Sequence, residues 1–248
     1  MSRMLVALAA VLLMGTTGTR AQSSGTSPVL DGCVRAGPET KIVTFGAGRG
    51  DVLHAAILGR SPTGVVLSNQ SDRDLCSWLP LAHTLERAGY RVLLYDYGNL
   101  EPWVEVASAA RELHRLGVGR VVLVGASEGA KASIVAAVPT TTPTVGVVSL
   151  SAERYFRGGF DVKASAARLT RPILFVTAKN DLYAAGDTPI LYKACRSPDK
   201  RLVTVAGSAH GVDLLSGASR QEVRGAILAF LRTQLGISGT TAERNQSA

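Results

Sequence analysis

The chain has 248 residues, which suits one large α/β domain or two small ones. Lysine and arginine outnumber aspartate and glutamate by 27 to 19, which gives a formal net charge of +8. The basic residues are scattered and only 5% of the residues are aromatic, so the composition argues against a nucleic-acid site. It indicates a basic solvated surface, with weak attraction to an anionic cell envelope as the alternative.

The first residues have the pattern of a secretory signal. Arg3 precedes an apolar run over 5–14, and Thr19-Arg20-Ala21 approximates a small-x-small cleavage site. Such a run spans only about 15 Å as a helix, which is too short for the roughly 30 Å hydrocarbon core of a bilayer. We therefore expect a signal peptide over 1–21, with an uncleaved anchor or a buried helix as alternatives. The protein is then secreted or lies in the cell envelope, without stable insertion into a membrane.

Three cysteines are present, at Cys33, Cys76 and Cys195. Export would place them in an oxidising compartment, where one disulfide is expected and one cysteine is left over. We favour the pair Cys33–Cys76 because Cys195 falls in a predicted late helix, although the sequence leaves all three pairings open. Since no cysteine–histidine cluster has the spacing of metal ligands, no metal or other cofactor is predicted.

The order of elements is that of an α/β protein. Residues 22–38 are rich in Ser, Gly, Thr and Pro, which predicts a flexible lead-in. Two strands joined by a glycine-containing turn are predicted next, at 40–45 and 52–58. Six short apolar runs then predict buried strands, at 64–68, 91–95, 120–124, 145–150, 173–177 and 202–205. Helical spacing of apolar residues occurs at 78–85, 106–113, 128–138, 188–195 and 223–231.

This alternation predicts a mostly parallel central sheet of about eight strands with helices on both faces. We expect it to form one domain over 39–236, followed by a disordered tail over 237–248. Reactive groups should then gather beyond the carboxyl ends of the strands, because parallel strands present those ends at the same edge of the sheet.

The strongest chemical signal is the segment Gly125-Ala126-Ser127-Glu128-Gly129, which fits G-x-S-x-G between a predicted strand and a predicted helix. A sharp strand-to-helix turn exposes the serine hydroxyl, and the helix N-terminus favours a developing anion. The alternative is a glycine-rich loop in which Ser127 only caps the helix. A phosphate-binding turn is disfavoured, because neither GxGxxG nor a P-loop lysine motif accompanies it.

A serine hydroxyl needs a base, and the base needs an orienting carboxylate. His210 is the predicted base because it follows the last predicted strand, whereas the other histidines fall within a strand or on helices (His54, His83 and His114). Asp181 follows the strand at 173–177 and is the preferred carboxylate, with Glu153 and Asp96 as rivals. The chain order Ser127, Asp181, His210 is that of α/β-hydrolases and not of the other serine enzymes.

An oxyanion hole requires two hydrogen-bond donors. The first predicted donor is the backbone N–H of Glu128, directly after the nucleophile. The second is expected in the turn after the strand at 64–68, from the backbone N–H of Ser71 or, second in preference, of Gln70. Asn69-Gln70-Ser71 is also a glycosylation sequon, although we favour a donor turn there.

Over about residues 40–235 the chain resembles the α/β-hydrolase superfamily. The resemblance rests on the GASEG turn, on Asp181 in AKNDLY, on His210 in GSAHG and on the strand order. Small esterase-like and dienelactone-hydrolase-like members are similar in the stretch SNQSDRDLCSWLPLAHTLERAGYRVLLYDYG. The resemblance implies a serine hydrolase without a large cap, because the segment 151–171 is short where many relatives carry a helical cap.

Two positions depart from the family pattern. Asn69-Gln70 stands where the family often has His-Gly, and dienelactone hydrolases have a cysteine where Ser127 stands. The main hypothesis is therefore a secreted carboxylester hydrolase with an acyl-enzyme on Ser127 and a small-molecule or other acyl-ester substrate. The alternatives are an envelope acyltransferase with the same triad and a non-catalytic hydrolase-like binding protein. No oligomeric state is predicted.

Overall fold

The computed structural model describes residues 29–236. Within that range the chain forms ten strands: β1 (Val29–Leu30), β2 (Val34–Arg35), β3 (Thr40–Gly48), β4 (Asp51–Leu58), β5 (Thr63–Ser68), β6 (Arg91–Tyr95), β7 (Arg120–Ala126), β8 (Gly146–Leu150), β9 (Ile173–Ala178) and β10 (Lys200–Val205). The same residues form six α-helices: α1 (Leu79–Arg87), α2 (Pro102–Arg115), α3 (Glu128–Ala136), α4 (Val162–Ala166), α5 (Asp187–Ala194) and α6 (Arg220–Leu235).

Eight of these strands make one sheet in the order β10-β9-β8-β7-β5-β6-β4-β3. The pairs from β10 to β6 are parallel, while β4 pairs antiparallel with both β6 and β3. The predicted mostly parallel sheet of about eight strands is therefore confirmed. Its parallel strands end at one edge, where the turns after β5, β7, β9 and β10 carry the predicted site residues.

The core lies on both faces of the sheet because the central strands are apolar along their whole length. Every residue of β8 and β9 is buried, as expected for strands covered on both sides. The helices α2 and α3 pack on one face, through side chains such as Val106 and Ile134. The helices α1 and α6 pack on the other face, through side chains such as Leu85 and Ile227.

The segment before the sheet differs from its prediction. A flexible lead-in was expected over 22–38, but β1 and β2 form an antiparallel hairpin there. A disulfide joins Cys33 to Cys76, with Cα atoms 5.9 Å apart, and Val34 is buried in the core. Cys195 is a buried free thiol. The apolar contact and the covalent link hold a segment whose composition alone indicates mobility.

The segment 151–171, the two ends of the chain and membrane insertion were also subjects of the sequence analysis. The segment 151–171, where the sequence analysis expects no large cap, contains the short helix α4. The predicted signal peptide at 1–21 and tail at 237–248 lie outside the described residues. Among residues 29–236, none of the helices has the length and apolar character needed to cross a bilayer.

We expect the disulfide to stabilise the fold. Cys33 and Cys76 are 43 residues apart, so the cross-link removes conformational freedom from the unfolded chain. Replacing both with serine should lower the free energy of unfolding by about 3 kcal/mol in a urea titration. As a control, a reducing agent should destabilise the parent protein and leave the double variant unchanged. Equal stability of the two proteins would show that the disulfide does not stabilise the fold.

Candidate active site

Ser127 stands at the turn between β7 and α3 in a strained backbone conformation. Its φ is 48° and its ψ is −105°, a combination that residues with a side chain rarely adopt. The Ser127 N–H donates to the carbonyl of Leu150 on the neighbouring strand at 2.8 Å, which anchors the turn to the sheet. This is the backbone geometry that a nucleophile elbow requires.

The two flanking glycines are required by space. A Cβ on Gly125 would collide with the carbonyl of Gly129, and a Cβ on Gly129 would collide with the carbonyl of Ser68. The Gly129 N–H also donates to the carbonyl of Asn69 at 2.9 Å. The serine turn and the turn after β5 are therefore packed backbone against backbone, which fixes one relative to the other.

His210 and Asp181 are in direct contact. The Nδ1 atom of His210 lies 2.9 Å from both carboxylate oxygens of Asp181, whose side chain is fully buried. Burial alone would raise the pKa of Asp181, but the hydrogen bonds with His210 and from the Tyr183 N–H hold that pKa below its ordinary value. Asp181 is thus a carboxylate, and the Nε2 atom of His210 is left to face the cleft.

The rival carboxylates have other partners. Glu153 Oε2 lies 2.6 Å from the ammonium of Lys131. Asp96 Oδ1 accepts hydrogen bonds from the side chain of Asn69 and from the Leu75 N–H, each at 2.8 Å. Within residues 29–236, neither carboxylate contacts His210.

A cleft of about 680 Å³ brings the predicted residues together. Ser127, Glu128, His210 and Ser71 all line it. Within the described part of the chain, no hydrogen bond joins Ser127 to His210. Catalytic hydrogen bonds are often long or poorly aligned in sites without substrate. The cleft thus holds a serine, an oriented imidazole and two turns that can supply backbone donors.

Gln70, the second choice for the oxyanion turn, does not line this cleft. Its side chain is buried, with Oε1 accepting from the Val212 N–H at 2.9 Å and Nε2 donating to Asp72 at 2.7 Å. The side chain therefore connects the turn after β5 to the loop that follows His210. Of the two residues, only Ser71 lines the cleft.

One charged residue that lines the cleft has no counterpart among the predicted site residues. Lys131 is buried on α3, four residues after Ser127, and its ammonium lies 3.0 Å from Glu128 and 2.6 Å from Glu153. It also donates to the carbonyl of Tyr155 at 3.1 Å. The available signal was a single lysine within an otherwise small and apolar helix. The Glu128 side chain, which had no assigned role, is one of its partners.

Asp96 secures the turn after β5. Besides its hydrogen bond with Asn69, it lies next to Asp31 of the β1–β2 hairpin. Burial and the hydrogen bond with Asp31 raise the pKa of Asp96 to about 7. The proton that Asp96 binds near neutral pH therefore relieves repulsion between two carboxylates beside the predicted oxyanion turn.

Among residues 29–236 there is no group of three or more His, Cys, Asp or Glu side chains that could hold a metal ion.

No family model and no curated protein matches the chain. Solved structures do match it. An esterase from Pyrococcus furiosus aligns with a TM-score of 0.71 at 16% identity, over 84% of this chain and 97% of that chain.

Two other solved structures are similar over nearly their whole length. The esterase domain of a Rhodothermus marinus protein has a TM-score of 0.66 at 20% identity, covering 79% of this chain and 100% of that one. An enol-lactonase from Burkholderia xenovorans has a TM-score of 0.60 at 17% identity, covering 75% and 98%. The fold is that of the α/β-hydrolases. This agrees with the fold class predicted from the sequence.

The raised pKa of Asp96 predicts a pH-dependent stability. Because the folded state binds this proton more tightly than the unfolded state, the free energy of unfolding should fall as the pH rises from about 4 to about 7. Asp96→Asn keeps an acceptor for Asn69 and Leu75 and removes the charge. We expect the variant to be more stable than the parent protein at pH 8 and similar at pH 4, as measured by urea unfolding. A difference that does not change with pH would contradict this role of Asp96.

Proposed function

We propose that this protein is a secreted serine hydrolase that cleaves a carboxylic ester, or a related acyl bond, through an acyl-enzyme on Ser127. The observation that carries the proposal is the convergence of a strained serine and a carboxylate-bound histidine on one cleft. The esterases and the enol-lactonase among the similar structures support the same chemistry.

In the proposed reaction Ser127 Oγ attacks the acyl carbonyl while His210 Nε2 takes its proton. Asp181 holds the Nδ1–H of His210, which fixes the tautomer and stabilises the imidazolium that forms. The imidazolium returns the proton to the leaving alcohol, and the C–O bond of the ester breaks. Water, deprotonated by His210, then releases the acid and regenerates the Ser127 hydroxyl.

The negative charge on the carbonyl oxygen would be stabilised by the backbone N–H groups of Glu128 and Ser71. Both residues line the cleft beside Ser127, and Glu128 is the first residue of α3. The exposed N–H groups and the dipole at the start of a helix favour an anion there. The contact between Gly129 and Asn69 would hold the two donors at a fixed spacing.

Two observations support export of the protein and a preference for hydrolysis over acyl transfer. The disulfide between Cys33 and Cys76 is typical of an oxidising compartment, as expected for an exported protein. The segment between β8 and β9 adds only the short helix α4, and Leu182 at the cleft is 93% exposed. A cleft with so little cover admits water to the acyl-enzyme, which favours hydrolysis over acyl transfer.

The nucleophile is tested by Ser127→Ala. The variant should lose covalent labelling by a fluorophosphonate and should hydrolyse p-nitrophenyl esters about 10⁴-fold more slowly or worse, because no other hydroxyl occupies the strained turn. Ser133→Ala is the matched control, since Ser133 is buried on the same helix and should leave labelling intact. Labelling that persists in Ser127→Ala would refute the assignment.

The orienting carboxylate is tested by comparing two variants. Asp181→Asn should lower kcat by roughly 10⁴-fold, because the amide cannot hold the required tautomer of His210 or stabilise its charged form. Glu153→Gln should have a far smaller effect on the hydrolysis of neutral esters, since Glu153 is bound to Lys131 and not to His210. The reverse order of effects in steady-state kinetics would assign the role to Glu153.

A further inference from the structure

The wall of the cleft that extends from α3 is charged. The ammonium of Lys131 lies between the carboxylates of Glu128 and Glu153, and its side chain is only 4% exposed. One positive charge thus faces two negative charges in this group of three residues. The arrangement leaves an excess of negative charge beside the nucleophile, where a binding site for a plain acyl chain would be apolar.

The lining of the cleft as a whole has a net negative charge. It contains four carboxylates and two cations, namely Asp72, Glu128, Glu153, Asp187, Lys131 and Arg157. The chain as a whole has a formal charge of +8, so the cleft is opposite in sign to the molecule that carries it. A cleft lined by one sign of charge concentrates ligands of the other sign.

The arginines next to the cleft do not cancel this excess. Arg154 forms an ion pair with Asp161 at 2.7 Å, and Arg73 lies 3.6 Å from Asp213. The ion-pair partner of each arginine therefore lies outside the lining of the cleft.

Aromatic side chains complete this environment. Tyr155 and Tyr183 line the cleft and are 47% and 64% exposed, and the Arg154 guanidinium already lies over the Tyr155 ring, 4.8 Å from its centroid. Phe156 contacts the Lys131 ammonium, with Nζ 5.1 Å from the ring centroid. Carboxylates combined with exposed aromatic faces are the groups that bind amines and quaternary ammonium ions.

The position of His210 decides which part of the substrate meets this wall. His210 must reach the leaving oxygen, so the alcohol portion occupies the side of the cleft formed by His210 and Tyr183. In the proposed reaction the acyl portion would then extend along the α3 side of the cleft, which Glu153 also lines. Lys131 lies four residues beyond Ser127 on α3, about 6 Å along the helix axis, which matches a short acyl chain.

We propose that the acyl group accepted at this site carries a cation, an amine or a quaternary ammonium, that is bound by the carboxylate of Glu153. The inference rests on the proposed function, because it takes Ser127 as the nucleophile. Lys131 holds Oε2 of Glu153 in place and so acts as a positioning residue. Within residues 29–236, Oε1 of Glu153 makes no hydrogen bond and is the oxygen left for the ligand.

The test compares two esters of equal shape. One is the p-nitrophenyl ester of γ-trimethylammonium butyrate, and the other is its neutral isostere, in which carbon replaces the quaternary nitrogen. The cationic ester should have a kcat/KM higher by on the order of tenfold at low salt, and the ratio should decline as ionic strength rises. This measurement uses the parent protein and does not depend on any variant.

Glu153→Gln should lower this ratio several-fold. Glu86→Gln is the matched control, because the Glu86 side chain has nearly the same exposure, 26% against 27% for Glu153, and lies on α1 outside the cleft. It should leave the ratio unchanged. If Glu153→Gln retains the full preference for the cationic ester, a different residue binds the cation and the role given to Glu153 is wrong.

The outcomes separate this inference from the proposed function. Equal kcat/KM values for the two esters, both dependent on Ser127, would overturn the cation site and leave the hydrolase intact. A preference for acetylcholine over its neutral isostere, without one between the acyl pair, would place the cation on the alcohol side and overturn the inference. If neither ester is cleaved and no fluorophosphonate labels Ser127, the proposed function itself fails.

Discussion

The site depends on the close approach of backbone to backbone at the elbow. Gly125 and Gly129 leave no room for a Cβ, and this allows the turn at Ser127 to rest directly against the end of β5. A strained conformation such as that of Ser127 costs about 1–3 kcal/mol and persists only where the surroundings impose it. The buried parallel strands on either side of β7 provide those surroundings. The position and the strained conformation of Ser127 thus have one common origin.

The parallel sheet was predictable because its strands are apolar on both faces. Such runs leave a continuous signal in the sequence, and the strand predicted at 120–124 differs from β7 only by the two residues that enter the elbow. The short elements were missed for the opposite reason. The strands of the hairpin have two residues each and α4 has five, too few for either periodicity to show.

The candidate site also contains residues that the sequence predicted and contacts that it did not. Ser127, Asp181 and His210 were predictable from topology, since each follows a parallel strand and all such strands end at one edge. The contact of Lys131 with Glu153 joins residues 22 apart on different elements. No local pattern signals a contact of this kind, which arises only when α3 packs beside the turn after β8. The link from Asp96 to Asn69 was missed for the same reason.

The burial of Lys131 has a consequence for how this protein can change over generations. Its ammonium is matched by Glu128 and Glu153, so a neutral residue in its place would leave two facing carboxylates without a counter-ion. Breaking a buried ion pair in this way costs about 3–5 kcal/mol, which is a large part of the stability of a typical domain. The three positions are therefore expected to be inherited and replaced together. On the proposed function, a descendant that accepts a different acyl group would have to alter these three residues together while Ser127, His210 and Asp181 stay the same.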